Sequence, residues 1–357
     1  LKKIKRKLLK LKKNIDKKNF NMLNPNLKLN PKLFNSDVEQ APIRKGFGQG
    51  LLLAGEQDEN VVALCADLVE STQMNLFAEK FPERFIEIGV AEQNLVTVAS
   101  GMAAMGKIPF CSSYAMFSPG RNWEQIRTTI AYNDRPVKIV GSHAGISVGP
   151  DGGTHQALED IGLMRMMPNM DVFSPCDSIE AKKITQLIAK TSKPAYLRLA
   201  REKTPIITTE ETPMELGKAE IFWMPDVGLA QVGIISTGSL THRVLLAAKE
   251  LEVQEGPQRI KTKVMNLSSI KPMDIEAVIN LAKECKAIVT VEEHQVAGGM
   301  GSAVAEVLAQ NFPVPMEFVG VQDRFGQSGT PDELIEHYGM GKNSIKDAVR
   351  KVLDRKI

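Results

Sequence analysis

Short β-rich runs alternate with helical stretches through most of this 357-residue chain. In the first series the strand-like runs are 61–67, 84–89, 108–114, 136–143, 170–175 and 195–200. Between or beside them lie helical stretches at 92–105, 122–133, 155–167 and 178–191. Runs that are apolar on both faces and separated by helices predict a parallel sheet that is covered on both sides.

A second series of the same kind follows a segment of different composition. Residues 202–229 are rich in Thr, Pro and Glu, which is typical of a linker, and the alternation resumes at residue 230. The chain therefore predicts an α/β fold with two tandem three-layer α/β domains on mostly parallel sheets, at 22–201 and 230–357.

Positive charge is concentrated at the beginning of the chain. Residues 1–21 hold ten Lys or Arg and one Asp, whereas the whole chain has a net charge of +3. The remainder is therefore mildly acidic, and its net charge gives no reason to expect nucleic-acid binding. We expect this basic leader to be disordered or to precede a true start at Met22; a membrane-surface helix is the alternative. No run approaches the ~18 consecutive apolar residues that a membrane span needs.

The four cysteines are far apart, at Cys65, Cys111, Cys176 and Cys285. They include no Cys-x-x-Cys pair and have no histidine cluster near them. This spacing predicts buried, inert thiols in a reducing cytoplasm, rather than disulfides or a zinc site.

A glycine-rich loop at 141–160 follows one of the predicted buried strands. Open α/β sheets bind their ligands in such loops. The loop holds two of the chain's five histidines, His143 and His155, with Asp151 between them. One acid and widely spaced histidines suit a polar substrate or proton transfer better than a metal. The glycine run at 46–50 has no preceding strand and no ribose-binding acid at the right distance, which disfavours dinucleotide binding. The run at 297–302 lies between a strand and a helix and is interpreted as a tight packing turn rather than an anion site.

The segment 85–106 places a carboxylate at the start of an apolar helix. The strand-like run stops at Gly89, and Glu92 opens a stretch rich in Val, Ala, Met and Gly. The helix dipole favours an acid in the first turn. The composition predicts that all faces of the helix are covered, so the carboxyl group needs a hydrogen-bonding partner. A ligand nitrogen is one candidate.

Four motifs resemble the C-terminal section of transketolases. They are GVAEQN at 89–94, PFCSSYAMF at 109–117, SHAGISVGPDGGTHQ at 142–156 and VEEHQVAGGMGS at 291–302. The resemblance covers roughly residues 40–357. It implies a pyrimidine-binding domain followed by a Rossmann-like transketolase C-terminal domain.

The resemblance implies thiamine diphosphate as the cofactor. In this family the glutamate of the GVAEQN motif, here Glu92, gives a proton to N1′ of the aminopyrimidine. Tyr114 and Phe117 correspond to aromatic residues that pack around that ring, and Asp67 to a polar position on the cofactor side.

The same resemblance implies a site for phosphorylated sugars. The residues that match the family's contacts to the sugar-phosphate tail are Arg44, Ser71, His143 and Arg201. Asp151 matches the residue that reads the C2 hydroxyl of the acceptor, and His155 the one that binds the reacting end of the donor. The implied catalytic residues are Glu92, His143 and His155. The implied reaction, a step of the pentose phosphate pathway, moves a two-carbon ketol unit from a ketose phosphate to an aldose phosphate.

One part of the family's machinery is absent from the sequence. The chain has no Gly-Asp-Gly motif followed some thirty residues later by Asn, the pattern that binds the metal and the diphosphate. We therefore expect no metal ligands here and a partner subunit that holds Mg²⁺ or Ca²⁺, in a two-plus-two assembly. A fragment of one longer chain is the alternative.

Three other functions remain open. Half of a 1-deoxyxylulose-5-phosphate synthase and the β subunit of a 2-oxoacid dehydrogenase share this domain order. The Asp-Gly-Gly-Thr-His loop and the pair Arg44 and Arg201 favour a phosphosugar over a 2-oxoacid. A non-catalytic scaffold subunit is disfavoured by the joint presence of Glu92, His143, Asp151 and His155.

Overall fold

The computed structural model describes residues 22–254, 256 and 259–356, so the predicted leader at 1–21 lies outside the described residues. The strands are β1 (Gln40–Pro42), β2 (Val61–Cys65), β3 (Phe85–Glu87), β4 (Ile108–Tyr114), β5 (Lys138–Ser142), β6 (Asp171–Phe173), β7 (Ala195–Arg198), β8 (Lys203–Pro205), β9 (Glu220–Trp223), β10 (Val232–Ser236), β11 (Thr262–Asn266), β12 (Ser269–Lys271), β13 (Ile288–Gln295) and β14 (Met316–Val321). The helices are α1 (Ile43–Gln57), α2 (Val69–Thr72), α3 (Asn75–Lys80), α4 (Glu92–Ala104), α5 (Trp123–Gln125), α6 (Asp160–Arg165), α7 (Ser178–Ala189), α8 (Thr241–Glu252), α9 (Ile275–Cys285), α10 (Met300–Asn311), α11 (Pro331–His337) and α12 (Lys342–Asp354).

The first sheet has seven strands in the order β12-β6-β7-β5-β4-β2-β3. Its strands pair in parallel except β12, which is antiparallel to β6. Every residue of β2 and β5 is buried, which explains why these runs are apolar on both faces. One apolar core joins the sheet to α1 and α7, and another joins its opposite face to α4 and α6.

The second sheet has five strands in the order β14-β13-β10-β11-β9. It is parallel except for β9, which lies in the predicted linker and pairs antiparallel to β11. Helices α8 and α12 pack in the core on one face, and α9 and α10 in the core on the other. The predicted fold class of two α/β domains with mostly parallel sheets is confirmed.

The beginning of the described chain contacts the second sheet. Leu23 forms an antiparallel bridge with Trp223, and the Asn24 N–H donates to the Phe222 carbonyl at 3.1 Å. These residues fall within the range 22–201 that the sequence assigns to the first domain. The domain boundaries remain predictions.

Two sequence expectations differ from the structure. The helix predicted from His155 begins at Asp160, because the preceding residues form a loop that the Gln156 side chain ties to carbonyls of Ile146 and Gln327. Helix α4 is not covered on all faces: Gln93 and Asn94 are exposed. Small side chains therefore marked one packed face and not a fully buried helix.

The prediction that the four cysteines are buried is confirmed. All four cysteines are buried free thiols, and burial raises the pKa of Cys111 to about 12. Gly46 lies on α1 against α7, where a Cβ atom would meet the Ser178 carbonyl oxygen. Among the described residues, no helix is both long and apolar enough to span a membrane.

Candidate active site

Polar residues gather at one edge of the first sheet. Asp67, Phe117, His143 and Arg201 each come shortly after the carboxyl end of a strand, namely β2, β4, β5 and β7. These strands are neighbours in the order β7-β5-β4-β2 and run in parallel. Their carboxyl ends therefore share the edge at which open α/β sheets bind ligands.

Glu92 begins α4 and is buried, with 2% of its surface exposed. Its Oε2 accepts a hydrogen bond from Arg121 Nη1 at 2.5 Å. Its Oε1 has a long contact, 3.5 Å, with Ser113 Oγ. Asn122 Nδ2 donates to the Glu92 main-chain carbonyl at 2.8 Å. A buried carboxylate needs such a partner, because desolvating an unpaired charge is costly.

Sequence reasoning missed Arg121. It lies in the loop after Phe117, and nothing in its spacing from Glu92 marks the two as partners. The Arg121 side chain is 47% exposed, so the ion pair reaches from the buried carboxylate to the surface. The predicted need for a hydrogen-bonding partner is thus met within the chain by a cation.

Aromatic rings continue the site from Glu92. The Arg121 guanidinium lies 4.9 Å from the Phe117 ring centroid. Phe117 and Tyr114 are nearly parallel, with ring centroids 6.2 Å apart and an interplanar angle of 18°. The carboxylate, the guanidinium and two flat apolar rings are therefore contiguous.

Both predicted histidines contact these rings. His143 stacks on Tyr114 with centroids 3.9 Å apart, and His155 meets Phe117 edge-on at 5.4 Å. The His143 backbone is left-handed, with φ of 56°, and its Nδ1 lies 2.9 Å from Ser142 Oγ. Burial lowers the pKa of His143 to about 3, and the charges of Arg44 and Arg201 add to this effect. The His143 imidazole is therefore neutral at physiological pH.

Two arginines form the cationic side of the site. Arg44 donates to the main-chain carbonyls of Ser71 at 2.6 Å and Arg201 at 3.3 Å. Arg201 donates to the Val148 carbonyl at 2.6 Å and lies 3.8 Å from an Asp151 carboxylate oxygen. The structure thus brings Ser71 and Asp151 together with both arginines.

Asp67 is placed differently from the other predicted residues. It is exposed and left-handed, with φ of 58°, and its N–H donates to Glu87 Oε1 at 2.7 Å. Within the described parts of the chain, Asp67 has no hydrogen bond or ion pair to the other predicted site residues.

Two family profiles match the chain over most of its length. The transketolase pyrimidine-binding domain matches residues 39–206, and the transketolase C-terminal domain matches residues 226–345. The chain belongs to the transketolase family. The resemblance inferred from the four motifs is therefore confirmed, and the loop that follows β5 lies within the matched pyrimidine-binding domain.

Relatives of similar length also carry transketolase names. The chain is 42% identical over 88% of its length, and 96% of the relative's, to a Methanocaldococcus jannaschii protein provisionally named as a transketolase C-terminal section. It is 39% identical to the 6-deoxy-6-sulfo-D-fructose transketolase subunit SqwH of Clostridium sp. (strain MSTE9), covering 90% of this chain and 98% of the relative. A solved structure described as a split gene transketolase, inactive β4 tetramer, is 41% identical, with a TM-score of 0.81 over 88% of this chain and 99% of that one.

Proposed function

We propose that this chain is the C-terminal subunit of a thiamine-diphosphate-dependent transketolase. The complete enzyme transfers a two-carbon ketol unit from a ketose phosphate to an aldose phosphate in the cytoplasm. The observation that carries the proposal is the buried Glu92 carboxylate, which Arg121 links to the stacked rings of Phe117 and Tyr114.

The residues present suit the aminopyrimidine half of the cofactor. Tyr114 and Phe117 offer flat apolar surfaces to a ring. Glu92 Oε1 has only its long contact with Ser113, so it keeps the capacity to hydrogen-bond a ring nitrogen. When bound, thiamine diphosphate supplies the carbon nucleophile that accepts the ketol unit.

Glu92 holds and releases the proton at the N1′ position of the pyrimidine. General acid–base work needs a carboxyl group fixed beside the atom that it protonates. The start of α4, the Asn122 bond to the Glu92 carbonyl and the Arg121 contact fix that position here. Asp67 is assigned to the cofactor side on the family pattern alone.

The arginine pair suits the phosphate of the sugar. A guanidinium has five N–H donors, so Arg44 and Arg201 keep donors beyond those that bind main-chain carbonyls. The proposed phosphate site also includes Ser71. With Nδ1 engaged by Ser142 Oγ, neutral His143 keeps Nε2 for a sugar hydroxyl or a phosphate oxygen.

Asp151 and His155 complete the proposed substrate site from the glycine-rich loop. Asp151 lies next to Arg201 and binds the C2 hydroxyl of the acceptor. His155 lies edge-on to both Phe117 and Tyr114 and binds the reacting end of the donor ketose. His143 and His155 are the proposed catalytic residues beside Glu92.

We further propose a partner subunit that carries the diphosphate-binding domain with its Mg²⁺ or Ca²⁺, in a two-plus-two assembly. Support comes from a relative named as a subunit and from the 41% identical structure, which is described as an inactive β4 tetramer. The residues that flank α4 also expose apolar side chains, Val90 by 71% and Met105 by 84%, which suits burial against another chain.

Reconstitution tests the proposal. The chain is co-expressed with a chain that carries the diphosphate-binding domain, and ketol transfer from a ketose phosphate to an aldose phosphate is assayed with thiamine diphosphate and Mg²⁺. We expect activity from the complex and none from either chain alone. A cofactor-loaded complex that decarboxylates pyruvate or another 2-oxoacid, and transfers no ketol group, contradicts the proposal and favours the synthase or dehydrogenase alternative.

A further inference from the structure

The loop that carries Asp151 and His155 lies against the second domain. A Cβ atom on Gly145 would lie 2.3 Å from Glu293 Oε1, and one on Gly153 would lie 2.7 Å from the Gly326 carbonyl oxygen. Only glycine permits such close approach. The loop at 145–156 is therefore shaped on one side by residues that are distant in sequence.

Glu293 connects this loop to the second sheet through a hydrogen bond. It lies near the carboxyl end of β13 with 2% of its surface exposed. Its Oε1 accepts a hydrogen bond from the Ser147 N–H at 2.6 Å, and its Oε2 accepts one from Ser239 Oγ. One buried carboxylate thus binds the loop of the first domain and a turn of the second.

The Glu293 backbone is also bound to the first domain. Arg198 Nη2 donates to the Glu293 main-chain carbonyl at 2.8 Å. Arg198 is itself buried and pairs with Asp160 at 2.8 Å. Since Arg198 ends β7, the position of Glu293 is set relative to the same sheet edge that carries His143.

We propose that Glu293 is a positioning residue for the substrate loop, and that the second domain acts on catalysis through it. The inference rests on the function proposed above, since it concerns how Asp151 meets the sugar. Gly145 and Gly149 both have positive φ, at 94° and 80°, so the backbone on either side of Ser147 has little intrinsic preference for this conformation. The hydrogen bond from the Ser147 N–H to the Glu293 carboxylate restricts this backbone four residues before Asp151.

The neighbouring residue Glu292 supplies a matched control. It is equally buried, but its carboxylate accepts hydrogen bonds from the N–H groups of Met300 at 2.7 Å and Gly301 at 2.8 Å, inside the second domain. Glu292→Gln thus perturbs a buried carboxylate of the same strand without touching the loop.

The first test measures amide hydrogen exchange on the full-length chain, by mass spectrometry of a peptide that contains Ser147. We expect exchange at Ser147 to be about tenfold faster in Glu293→Gln, because the Ser147 N–H loses its carboxylate acceptor. Glu292→Gln should leave this rate unchanged. Equal Ser147 exchange in Glu293→Gln and the unsubstituted chain overturns the inference.

The second test uses the reconstituted complex. Glu293→Gln should lower kcat/KM for the aldose phosphate by about tenfold, through misplacement of Asp151, while thiamine diphosphate affinity stays unchanged. Glu292→Gln should change neither quantity. If Glu293→Gln does not fold, Ser239→Ala keeps the carboxylate while removing one of its donors, and it is expected to show a smaller change in the same direction.

The two proposals fail in different ways. A complex of unsubstituted chains with no ketol transfer contradicts the proposed function, whereas the exchange experiment still reports on Glu293. Ketol transfer that is intact in Glu293→Gln, with faster exchange at Ser147, shows that the loop contact is structural only and overturns the positioning role.

Discussion

The two mostly parallel sheets place polar groups at corresponding edges but use them differently. At the carboxyl edge of the first sheet, His143 and Arg201 border the site in which Glu92 and the aromatic rings are contiguous. At the carboxyl edge of the second, Glu292 and Glu293 have their carboxylate oxygens bound to protein N–H or O–H groups. The same architecture therefore makes one edge a candidate active site and the other its support.

The turn at 297–302 illustrates this difference. Glycine turns that open a helix after a strand can bind anions through free N–H groups. In this chain the anion is the side chain of Glu292, which accepts from Met300 and Gly301. The interpretation of this turn as a packing feature is confirmed.

The largest expected effect is that of Glu92→Gln in the reconstituted complex. An amide keeps the size of the side chain but cannot exchange the proton at N1′, so kcat should fall by ~10³. Turnover is measured under saturating cofactor and substrates, and light scattering of the complex checks that assembly is intact. If turnover stays within twofold of the unsubstituted complex, Glu92 has no proton-transfer role, and the first sheet edge is not chemically different from the second.

Arg201→Ala should mainly weaken substrate binding. Loss of one charge-assisted contact to the phosphate is expected to raise KM for the aldose phosphate about 30-fold, with a much smaller change in kcat. Arg165→Ala is a suitable control, because Arg165 pairs with Glu306 away from the site. An unphosphorylated aldose should show no such rise in KM, and an equal rise for both sugars would end the phosphate assignment.

His143→Asn should change how stability depends on pH. The pKa of His143 is about 3 in the folded chain against 6.5 for an ordinary histidine, so the unfolded chain binds the proton first. The contribution of neutral His143 to the free energy of unfolding is therefore fully present above pH 6.5 and is lost as the pH falls toward 3. Asn tolerates the left-handed backbone.

Denaturant unfolding at pH 7 and pH 5 measures this contribution. Removing His143 should reduce the loss of unfolding free energy between these values by about 2 kcal/mol. An identical pH dependence in the variant and the unsubstituted chain would show that His143 is not held neutral by its surroundings at the first sheet edge.

The sequence predicted the central strands well because continuous apolar runs follow directly from burial on both faces. Strands β9 and β12 were not predicted, since each has only three or four residues and pairs at a sheet edge through tertiary contacts. Residues 155–159 were taken for helix because the hydrogen bonds from the Gln156 side chain that hold this loop have no periodic signature.

The candidate site was predicted less completely than the fold. The motifs identified residues whose side chains the structure brings together, such as Tyr114 and His143. Arg121 and Glu293 were missed because their importance depends on partners that only the fold brings near. Ser147 and Glu293, for example, are 146 positions apart.

The smallest effect, and the sharpest test of the comparison, is expected for Glu292→Gln. The amide cannot accept hydrogen bonds from both Met300 and Gly301, so the free energy of unfolding should fall by about 1.5 kcal/mol. Because Glu292 contacts neither the substrate loop nor the aromatic pair, kcat and KM of the reconstituted complex should be unchanged. Chemical denaturation and steady-state kinetics on the same preparation separate these outcomes. A change in KM without a loss of stability would mean that the second sheet edge contributes directly to the site, and the division between a working edge and a supporting edge would be wrong.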